Sequence, residues 1–328
     1  MKKVIRWPGV QRYGTAISIL GLLLAVLVAG CASGSQSPSG DLSARTINIV
    51  ATTSMIADLV GQVGGERVAV TGLMGPGVDP HLYKASEGDV SRMAGADVIV
   101  YNGLHLEGKM TEIFEQMQHR SIPTFALAEG IPKAKFRESP NFAGNYDPHI
   151  WFDVSLWIAS ARYVATSLSG LDSLHAETYA ANAARYIEEM EAVDAYINAR
   201  VAEVPEAQRV LITSHDAFGY FGRAYGFEVL GLQGISTASE AGTSDVQQLA
   251  DVVASRRIPA LFVETSVSPR GIEAVQAAVR ARGFEVKIGG TLFGDALGSP
   301  GTPEATYIGT VRYNIDTIVT ALLEKEAS

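Results

Sequence analysis

Cysteine is nearly absent from this sequence: Cys31 is the only one among 328 residues. A single thiol cannot form a disulfide within the chain, so packing alone must hold the core together. The zinc-site patterns CxxC and HExxH are also missing, and the chain has only six histidines. These absences exclude a disulfide-stapled fold and the common Cys-rich and helix-borne zinc sites.

Basic residues are too few for a nucleic-acid-binding protein. Lys and Arg number 26 against 35 Asp and Glu, which gives a formal net charge of −9 at pH 7. Four of these cations stand in the N-terminal segment, before the first acidic residue, so the rest of the chain is more acidic still. An acidic surface repels nucleic acid and attracts cations.

The N-terminal segment has the pattern of a bacterial export signal. Its basic start precedes an apolar run at 16–30, which is short for a membrane-spanning helix and ends in small residues. The run closes on LVAGC at 27–31, which resembles a bacterial lipoprotein cleavage box. We expect 1–30 to be a signal peptide that is removed, with lipid on the Cys31 sulfur. Residues 31–45, rich in Ser, Gly and Pro, are predicted to form a flexible tether.

Beyond the tether, strand-like apolar runs alternate with amphipathic helical stretches. This rhythm predicts βα units on mostly parallel sheets, an α/β fold. The predicted strands cover 47–51, 67–73, 97–101, 123–126, 209–213, 227–230, 260–264 and 285–288. The predicted helices cover 54–63, 86–94, 109–118, 154–168, 175–204, 217–225, 244–255, 270–281 and 306–323.

The helix at 175–204 is predicted to be longer than the others. It contains no Gly or Pro, and apolar side chains recur at alternating steps of four and three from Tyr179 to Ile197. We interpret it as a rigid backbone helix between two α/β lobes rather than a long surface helix. The predicted organisation is an N-terminal lobe at 46–170, the linking helix at 171–205 and a C-terminal lobe at 206–328.

The tripeptide Asp-Pro-His occurs twice, at 79–81 and 147–149. Proline stiffens each turn, and the preceding Asp is placed to accept from the second ring nitrogen of a metal-bound histidine. A third histidine, His215, follows a strand-like run. Three imidazoles suit a borderline divalent metal. Spacing alone leaves open the alternative that these histidines are ordinary surface residues.

Four motifs in order resemble one known family. They are VDPHLY at 78–83, YDPHIWFD at 146–153, SHDAFGYF at 214–221 and GTLFGDALG at 290–298. With GISTASE at 234–240 and the lipoprotein box, the chain resembles the metal-binding receptors of zinc and manganese ABC importers, the TroA-like solute-binding proteins. The resemblance covers nearly everything from residue 47 to the C-terminus.

The resemblance implies a metal site at the lobe interface. Its four ligands map to His81 and His149 in the first lobe and to His215 and Asp295 in the second. Asp295 rests on the resemblance alone, because an Asp after Gly ordinarily makes a turn. If Asp295 binds through both oxygens, protein groups fill every coordination position and none stays open for an activated water. We therefore expect a metal carrier and not an enzyme.

The same resemblance implies the partners and the location. The receptor is expected to be a monomer, lipid-anchored to the outer face of a bacterial membrane at the cell surface or in the periplasm. It would pass its ion to an ABC permease driven by a cytoplasmic ATPase. Imidazole-rich ligation favours zinc by intrinsic affinity. The loop at 133–146 lacks the His-rich stretch of zinc-devoted members, so manganese remains a contender.

Three other functions stay open on sequence. A siderophore or haem receptor on the same scaffold would need a wide cleft lined by Arg or aromatic side chains. A surface adhesin would keep its activity without His81 and His149. A metallohydrolase, the least favoured, would need a general base, for which Glu107 and Glu240 are the candidates.

Other residues near the motifs are expected to play supporting roles. His105 could line the cleft, and His119 and His175 are expected to be solvated beside helix ends. Trp151 and Phe152 are expected to pack beside the site and exclude water, and Glu240 and Glu264 are minor candidates for ligand support.

Overall fold

Parallel strands and helices alternate through the chain as the sequence predicts. The computed structural model describes residues 41–138, 142 and 144–324, so the predicted signal peptide, Cys31 and most of the tether lie outside the described residues. The strands are β1 (Ile47–Ala51), β2 (Val68–Gly72), β3 (Val98–Tyr101), β4 (Thr124–Ala126), β5 (Val210–His215), β6 (Glu228–Gln233), β7 (Ala260–Glu264) and β8 (Lys287–Leu292). The helices are α1 (Ser54–Gly64), α2 (Glu87–Ala94), α3 (Thr111–His119), α4 (Val154–Leu171), α5 (Ala176–Ala202), α6 (Gly219–Tyr225), α7 (Thr243–Arg256), α8 (Arg270–Arg280) and α9 (Tyr307–Leu323).

Every strand pair in the described residues is parallel, which confirms the predicted α/β fold class. The N-terminal half carries one four-stranded sheet in the order β2-β1-β3-β4. In the C-terminal half β5 pairs with β6 and β7 pairs with β8, and β5 lies beside β7. The carboxyl ends of parallel strands share one edge, where ligands commonly bind. β5 ends at His215, and β8 ends three residues before Asp295.

The prediction for the last strand was wrong in its position. Strand β8 was expected at 285–288 but runs from Lys287 to Leu292, through two glycines that look like a strand end in sequence. Helix α9 explains why glycines stand there. A Cβ at Gly289 would lie 2.6 Å from the Ala321 side chain, and one at Gly290 would lie 2.5 Å from Thr317. The missing side chains let α9 pack directly on this strand.

Helix α5 has 27 residues and, at 1.5 Å per residue, a length of about 40 Å. Its periodic apolar side chains from Tyr179 to Ile197 are buried, as predicted. They pack against α1 and α4 from the N-terminal half and α9 from the C-terminal half. One hydrophobic core therefore contains Trp157, Tyr186 and Tyr307 together. Since the described residues from Asp41 onward cluster as one compact unit, the division into two lobes stays a prediction.

The end of the predicted tether is folded. Leu42–Ala44 forms a short 3₁₀ turn that the Asp41 side chain caps. The Arg45 guanidinium donates to Asp97 at 2.6 Å, which attaches this segment to the start of β3. The folded part thus reaches back at least to Asp41. Within the described residues, every helix is too short or too polar to cross a membrane.

Candidate metal centre

Four side chains that are far apart in sequence meet in the interior. His81, His149, His215 and Asp295 each place one potential ligand atom within 4.8 Å of all the others. All four residues are at most 5 % exposed. The structure thus brings together all four residues of the predicted site. A buried group of three imidazoles and one carboxylate is a donor set that suits zinc and also accepts manganese.

The two Asp-Pro-His tripeptides each form a turn that fixes the histidine backbone. The His81 N–H donates to Asp79 Oδ1 at 2.8 Å, and the His149 N–H donates to Asp147 Oδ1 at 3.0 Å. The two imidazoles then face each other, with 3.2 Å between their Nε2 atoms. That approach aims both nitrogens at one point, where a cation can bind both.

Carboxylates orient two of the imidazoles. His149 Nδ1 lies 2.7 Å from Asp147 Oδ1, so the predicted support by the preceding Asp is present in the second tripeptide. His215 Nδ1 lies 2.9 Å from Glu264 Oε2, and Glu264 Oε1 accepts the His215 backbone N–H at 2.9 Å. Such contacts leave the opposite ring nitrogen, Nε2, free for a metal. Glu264, a minor candidate from sequence, thus supports a predicted ligand.

The Asp295 carboxylate faces two of the histidines. Its Oδ1 lies 3.5 Å from His149 Nε2, and its Oδ2 lies 3.4 Å from His215 Nε2. Two neighbours fix the loop that carries it. The Trp151 indole N–H donates to the Gly294 carbonyl at 3.0 Å, and the Ser266 hydroxyl donates to Asp295 Oδ2 at 3.1 Å.

Gly294 is required for close packing at this point. A Cβ at Gly294 would lie 2.2 Å from Glu264 Oε2 and 3.5 Å from the His215 ring. The glycine therefore lets the Asp295 loop approach the carboxylate that orients His215.

The charges of the cluster depend strongly on one another. Burial opposes protonation of His149, but the contacts with Asp147 and Asp295 outweigh it and raise its pKa to about 9. Neighbouring carboxylates also overcome burial at His215 and raise its pKa well above the usual value. Burial lowers the pKa of His81 to about 3. The pKa of Asp295 is held well below its usual value, because the histidines outweigh the effect of burial. A divalent ion that enters this cluster displaces protons from the imidazoles.

The remaining histidines lie outside the cluster. His105 is exposed and lines a surface cavity of the N-terminal half that contains none of the four residues. His119 is exposed at the end of α3, as predicted. The prediction that His175 is solvated was only partly right, because its Nδ1 lies 2.9 Å from the buried Asp172 carboxylate.

The two candidate general bases of a hydrolase have different surroundings. Glu107 is buried, and its Oε1 accepts the Thr52 hydroxyl at 2.7 Å and the Asn102 N–H at 2.8 Å. Glu240 is exposed. Both lie outside the group of possible metal ligands.

Trp151 packs beside the centre, as predicted, and Phe152 packs next to Trp151. Trp151 is buried, and its ring centroid lies 5.3 Å from that of His149. Phe152 stacks on Phe218 with 4.1 Å between the ring centroids. Trp151 therefore places a large apolar ring directly beside one of the four clustered residues.

Sequence reasoning missed three residues that connect the site across the fold. The Arg137 guanidinium donates to Asp147 at 2.8 Å and lies 3.5 Å from Asp216, the residue after His215. The Thr237 hydroxyl donates to Asp79 Oδ2 at 2.6 Å. Ser266, described above, is the third. Thr237 lies in the GISTASE segment, so that motif could have pointed to it. Arg137 and Ser266 lie in none of the motifs.

Comparison with known proteins finds similar sequences over most of the chain. The family model described as ZnuA, zinc-uptake complex component A, periplasmic, matches residues 49–321. The manganese-binding lipoprotein MntA of Bacillus subtilis (strain 168) is 45% identical over 307 residues, which cover 92% of this chain and 99% of that protein. The zinc-binding protein TroA of Treponema pallidum (strain Nichols) is 49% identical over 274 residues, which cover 84% of this chain and 88% of that protein.

A solved structure extends the likeness to three dimensions. The periplasmic zinc binding protein TroA from Treponema pallidum superposes with a TM-score of 0.83 at 47% identity, covering 85% of this chain and 100% of that one. The resemblance that the four ordered motifs indicated is thereby confirmed, and the chain belongs to the ZnuA family.

Proposed function

We propose that this protein captures a divalent metal ion, zinc or manganese, with His81, His149, His215 and Asp295 and delivers it to an ABC importer. The observation that carries the proposal is the buried group of three imidazoles and one carboxylate, with its donor atoms within 4.8 Å of one another. The family membership supports the same function. The ion is the cargo of the protein, and no chemical step acts on it.

The dimensions of the site argue for a bare ion. Four donor atoms this close enclose one cation, and residues that are at most 5 % exposed leave no room for a siderophore or haem. Asp295 can supply two oxygens, which brings the protein donors to five and leaves no position for an activated water. These features favour binding and release over hydrolysis.

The packing of the fold supports a small motion for capture and release. Helices from both halves share one core around α5, so a wide separation would expose buried aromatic side chains. Smaller contacts cross the site itself, including Trp151 to Gly294 and Thr237 to Asp79. A slight tilt of the C-terminal half, which carries His215 and Asp295, away from the other two histidines is enough to break the coordination.

The choice between the two metals follows from the donor set. Three imidazoles give zinc the higher intrinsic affinity by the Irving–Williams order. The carboxylate adds oxygen donors, which manganese prefers. The two relatives divide in the same way, since one is named for zinc binding and the other for manganese binding. We propose zinc as the tighter ligand and manganese as a second cargo.

The location follows from the N-terminal segment and the relatives. The proposed lipid on Cys31 would hold the protein at the outer face of a bacterial membrane, next to the permease that receives the ion. One of the relatives is named a lipoprotein, which supports this assignment. Replacement of Cys31 by Ser should release the exported protein from the membrane fraction and abolish incorporation of labelled palmitate.

Metal binding tests the central proposal. Purified protein should contain zinc or manganese by elemental analysis, and zinc should displace manganese in competition. Free metal at 100 times the Kd should stabilise the stripped protein by about 2.7 kcal/mol and raise its Tm. His81→Ala and His215→Ala should lose this rise, whereas the exposed His119→Ala should retain it.

Two results would contradict the proposal. One is a Tm that neither zinc nor manganese changes. The other is retention of full metal binding by His81→Ala, which would place the ion elsewhere in the protein.

A further inference from the structure

The two oxygens of the Asp295 carboxylate have different partners. Oδ2 accepts the Ser266 hydroxyl at 3.1 Å, whereas Oδ1 is buried and has no hydrogen-bond partner among the described residues. Each oxygen nevertheless faces a different histidine Nε2, at 3.5 Å for Oδ1 and 3.4 Å for Oδ2. The carboxylate therefore lies side-on to the cluster, in the orientation that two-oxygen binding of one ion requires.

From this arrangement we infer that Ser266 is a positioning residue that sets the relative affinity of the site for manganese and zinc. The inference rests on the proposed function, because it concerns the same metal site. By holding Oδ2, the hydroxyl stops the carboxylate from rotating about its Cβ–Cγ bond. Both oxygens then stay directed at the ion.

The strand ends explain how Ser266 is held in place. Strand β7 ends at Glu264, and the Thr265 N–H donates to the Leu292 carbonyl at the end of β8, at 3.0 Å. That bond continues the parallel pairing beyond the strands, so Ser266 and Asp295 leave neighbouring strand ends side by side. One strand end thus supports both ligands of the C-terminal half, with Glu264 on His215 and Ser266 on Asp295.

The two metals depend on the second carboxylate oxygen to different degrees. Zinc is satisfied by four ligands, so three imidazoles and one oxygen suffice. Manganese prefers oxygen donors and binds imidazole less tightly. A carboxylate that rotates and offers one oxygen should therefore lose more affinity for manganese than for zinc.

Substitution of Ser266 tests this directly. In Ser266→Ala the Kd for manganese should rise about tenfold while the Kd for zinc rises much less, since loss of a contact to a ligand typically costs 10–100-fold in metal affinity. Ser266→Thr keeps the hydroxyl and should restore the wild-type ratio. Ser268→Ala removes an exposed hydroxyl two residues further on and should leave both constants unchanged.

Cobalt(II) gives a readout that depends on coordination rather than on stability. Its visible absorption distinguishes four-coordinate from five-coordinate sites. Wild-type protein and Ser266→Thr should give the weaker five-coordinate bands, and Ser266→Ala should give stronger four-coordinate bands.

The possible failures are distinguishable. If the wild-type protein binds neither zinc nor manganese, the proposed function itself fails. If the wild-type protein binds both and Ser266→Ala keeps the same affinity ratio and cobalt spectrum, only the role of Ser266 is overturned. Equal weakening of both metals with an unchanged spectrum also overturns it, because that pattern reflects general packing.

Discussion

The two Asp-Pro-His tripeptides have the same local sequence and the same turn but different surroundings. In each, the histidine backbone N–H donates to the Asp Oδ1. Asp147 also contacts the His149 ring, and its other oxygen accepts from Arg137. In the first tripeptide Asp79 instead accepts from Thr237, and within the described residues no hydrogen bond joins it to the His81 ring. Local sequence sets the turn, and tertiary partners decide whether the Asp orients its imidazole.

The same difference appears in the charge state of the two carboxyl groups. Burial alone would raise the pKa of Asp147, but His149 and Arg137 outweigh burial and hold that pKa below its usual value. At Asp79 burial dominates, and the hydrogen bond from Thr237 offsets only part of it, so its pKa is raised. Asp147 is therefore stabilised as an anion, whereas Asp79 is not. We therefore expect substitution of the Asp to weaken metal binding more in the second tripeptide than in the first.

Removing the charge of Asp147 should produce the largest effect. In Asp147→Asn the amide NH₂ would face the Arg137 guanidinium, donor against donor, and the His149 ring would lose its anionic partner. We expect the Kd for zinc to rise about 100-fold, near the upper end for a group that orients a ligand. Isothermal titration calorimetry against the wild-type protein measures this.

The matched change in the first tripeptide sharpens the comparison. In Asp79→Asn the amide can still accept the His81 N–H, and the Thr237 hydroxyl can turn to accept from the new NH₂. The Kd should rise by no more than about tenfold, and Asp251→Asn, at an exposed ion pair, should leave it unchanged. An equal loss of zinc affinity in Asp79→Asn and Asp147→Asn would contradict the proposed difference between the two tripeptides.

Arg137 should matter for stability because it contacts the second tripeptide from across the chain. Its side chain is 28 % exposed, it donates to Asp147, and its backbone N–H donates to the Tyr220 hydroxyl. Arg137→Gln should lower the free energy of unfolding by about 1.5 to 3 kcal/mol, the range for a hydrogen bond to a charged group. Urea unfolding of the metal-free protein measures it.

An exposed ion pair provides the control for Arg137. Arg280 is paired with Glu285, and the two side chains are 61 % and 73 % exposed. Arg280→Gln should cost about 0 to 0.5 kcal/mol, since surface ion pairs contribute little. If the two substitutions cost the same, Arg137 acts as a surface charge and not as a support for Asp147.

Much of the framework could be predicted because it is encoded locally. Alternating apolar runs placed every helix and every strand except β8, and the spacing from Tyr179 to Ile197 predicted the long helix α5. The histidines could be found because proline turns and a strand end leave a signal in sequence. Asp295 carried no such signal, since Gly-Asp is ordinary turn chemistry. It was found only through the resemblance of its motif to a known family.

The supporting residues could not be predicted from local sequence. Thr237 and Asp79 are 158 positions apart, and Ser266 is 29 positions from Asp295. Their contacts exist only because segments that follow strands in different parts of the chain meet around the site. The misplaced β8 has the same cause, because its glycines are explained by the packing of α9 and not by anything nearby in sequence.

The pH dependence of stability should have opposite signs at the two Asp residues. The pKa of Asp147 is lower in the folded protein than in the unfolded chain, so its charge stabilises the fold at any pH above the unfolded pKa of about 4. This stabilisation is lost as the pH falls through the pKa of the folded state. Asp147→Asn should therefore destabilise the metal-free protein most at pH 7 and least near pH 3. Urea unfolding at several pH values measures the difference from the wild-type protein.

Asp79 should show the reverse pattern. Its raised folded pKa means that the charged form costs stability at neutral pH, and the cost disappears as the pH falls below the unfolded value. Asp79→Asn should match or exceed the wild-type stability at pH 7, with the difference vanishing in acid. A loss at pH 7 as large as that of Asp147→Asn would show that the two carboxylates have equivalent surroundings.

A small effect is expected at Thr237, which reaches Asp79 from the other half of the chain. Thr237→Val keeps the shape of the side chain and removes the hydroxyl, so Asp79 Oδ2 loses its 2.6 Å bond. The cost should be about 1 kcal/mol of unfolding free energy, the usual net value of one hydrogen bond. Thr237→Ser should recover most of it.

Because Asp79 does not hold the His81 ring, Thr237→Val should change the zinc Kd far less than Asp147→Asn does. A loss of affinity comparable to that of Asp147→Asn would mean that the first tripeptide is oriented through Thr237 as firmly as the second is through Arg137.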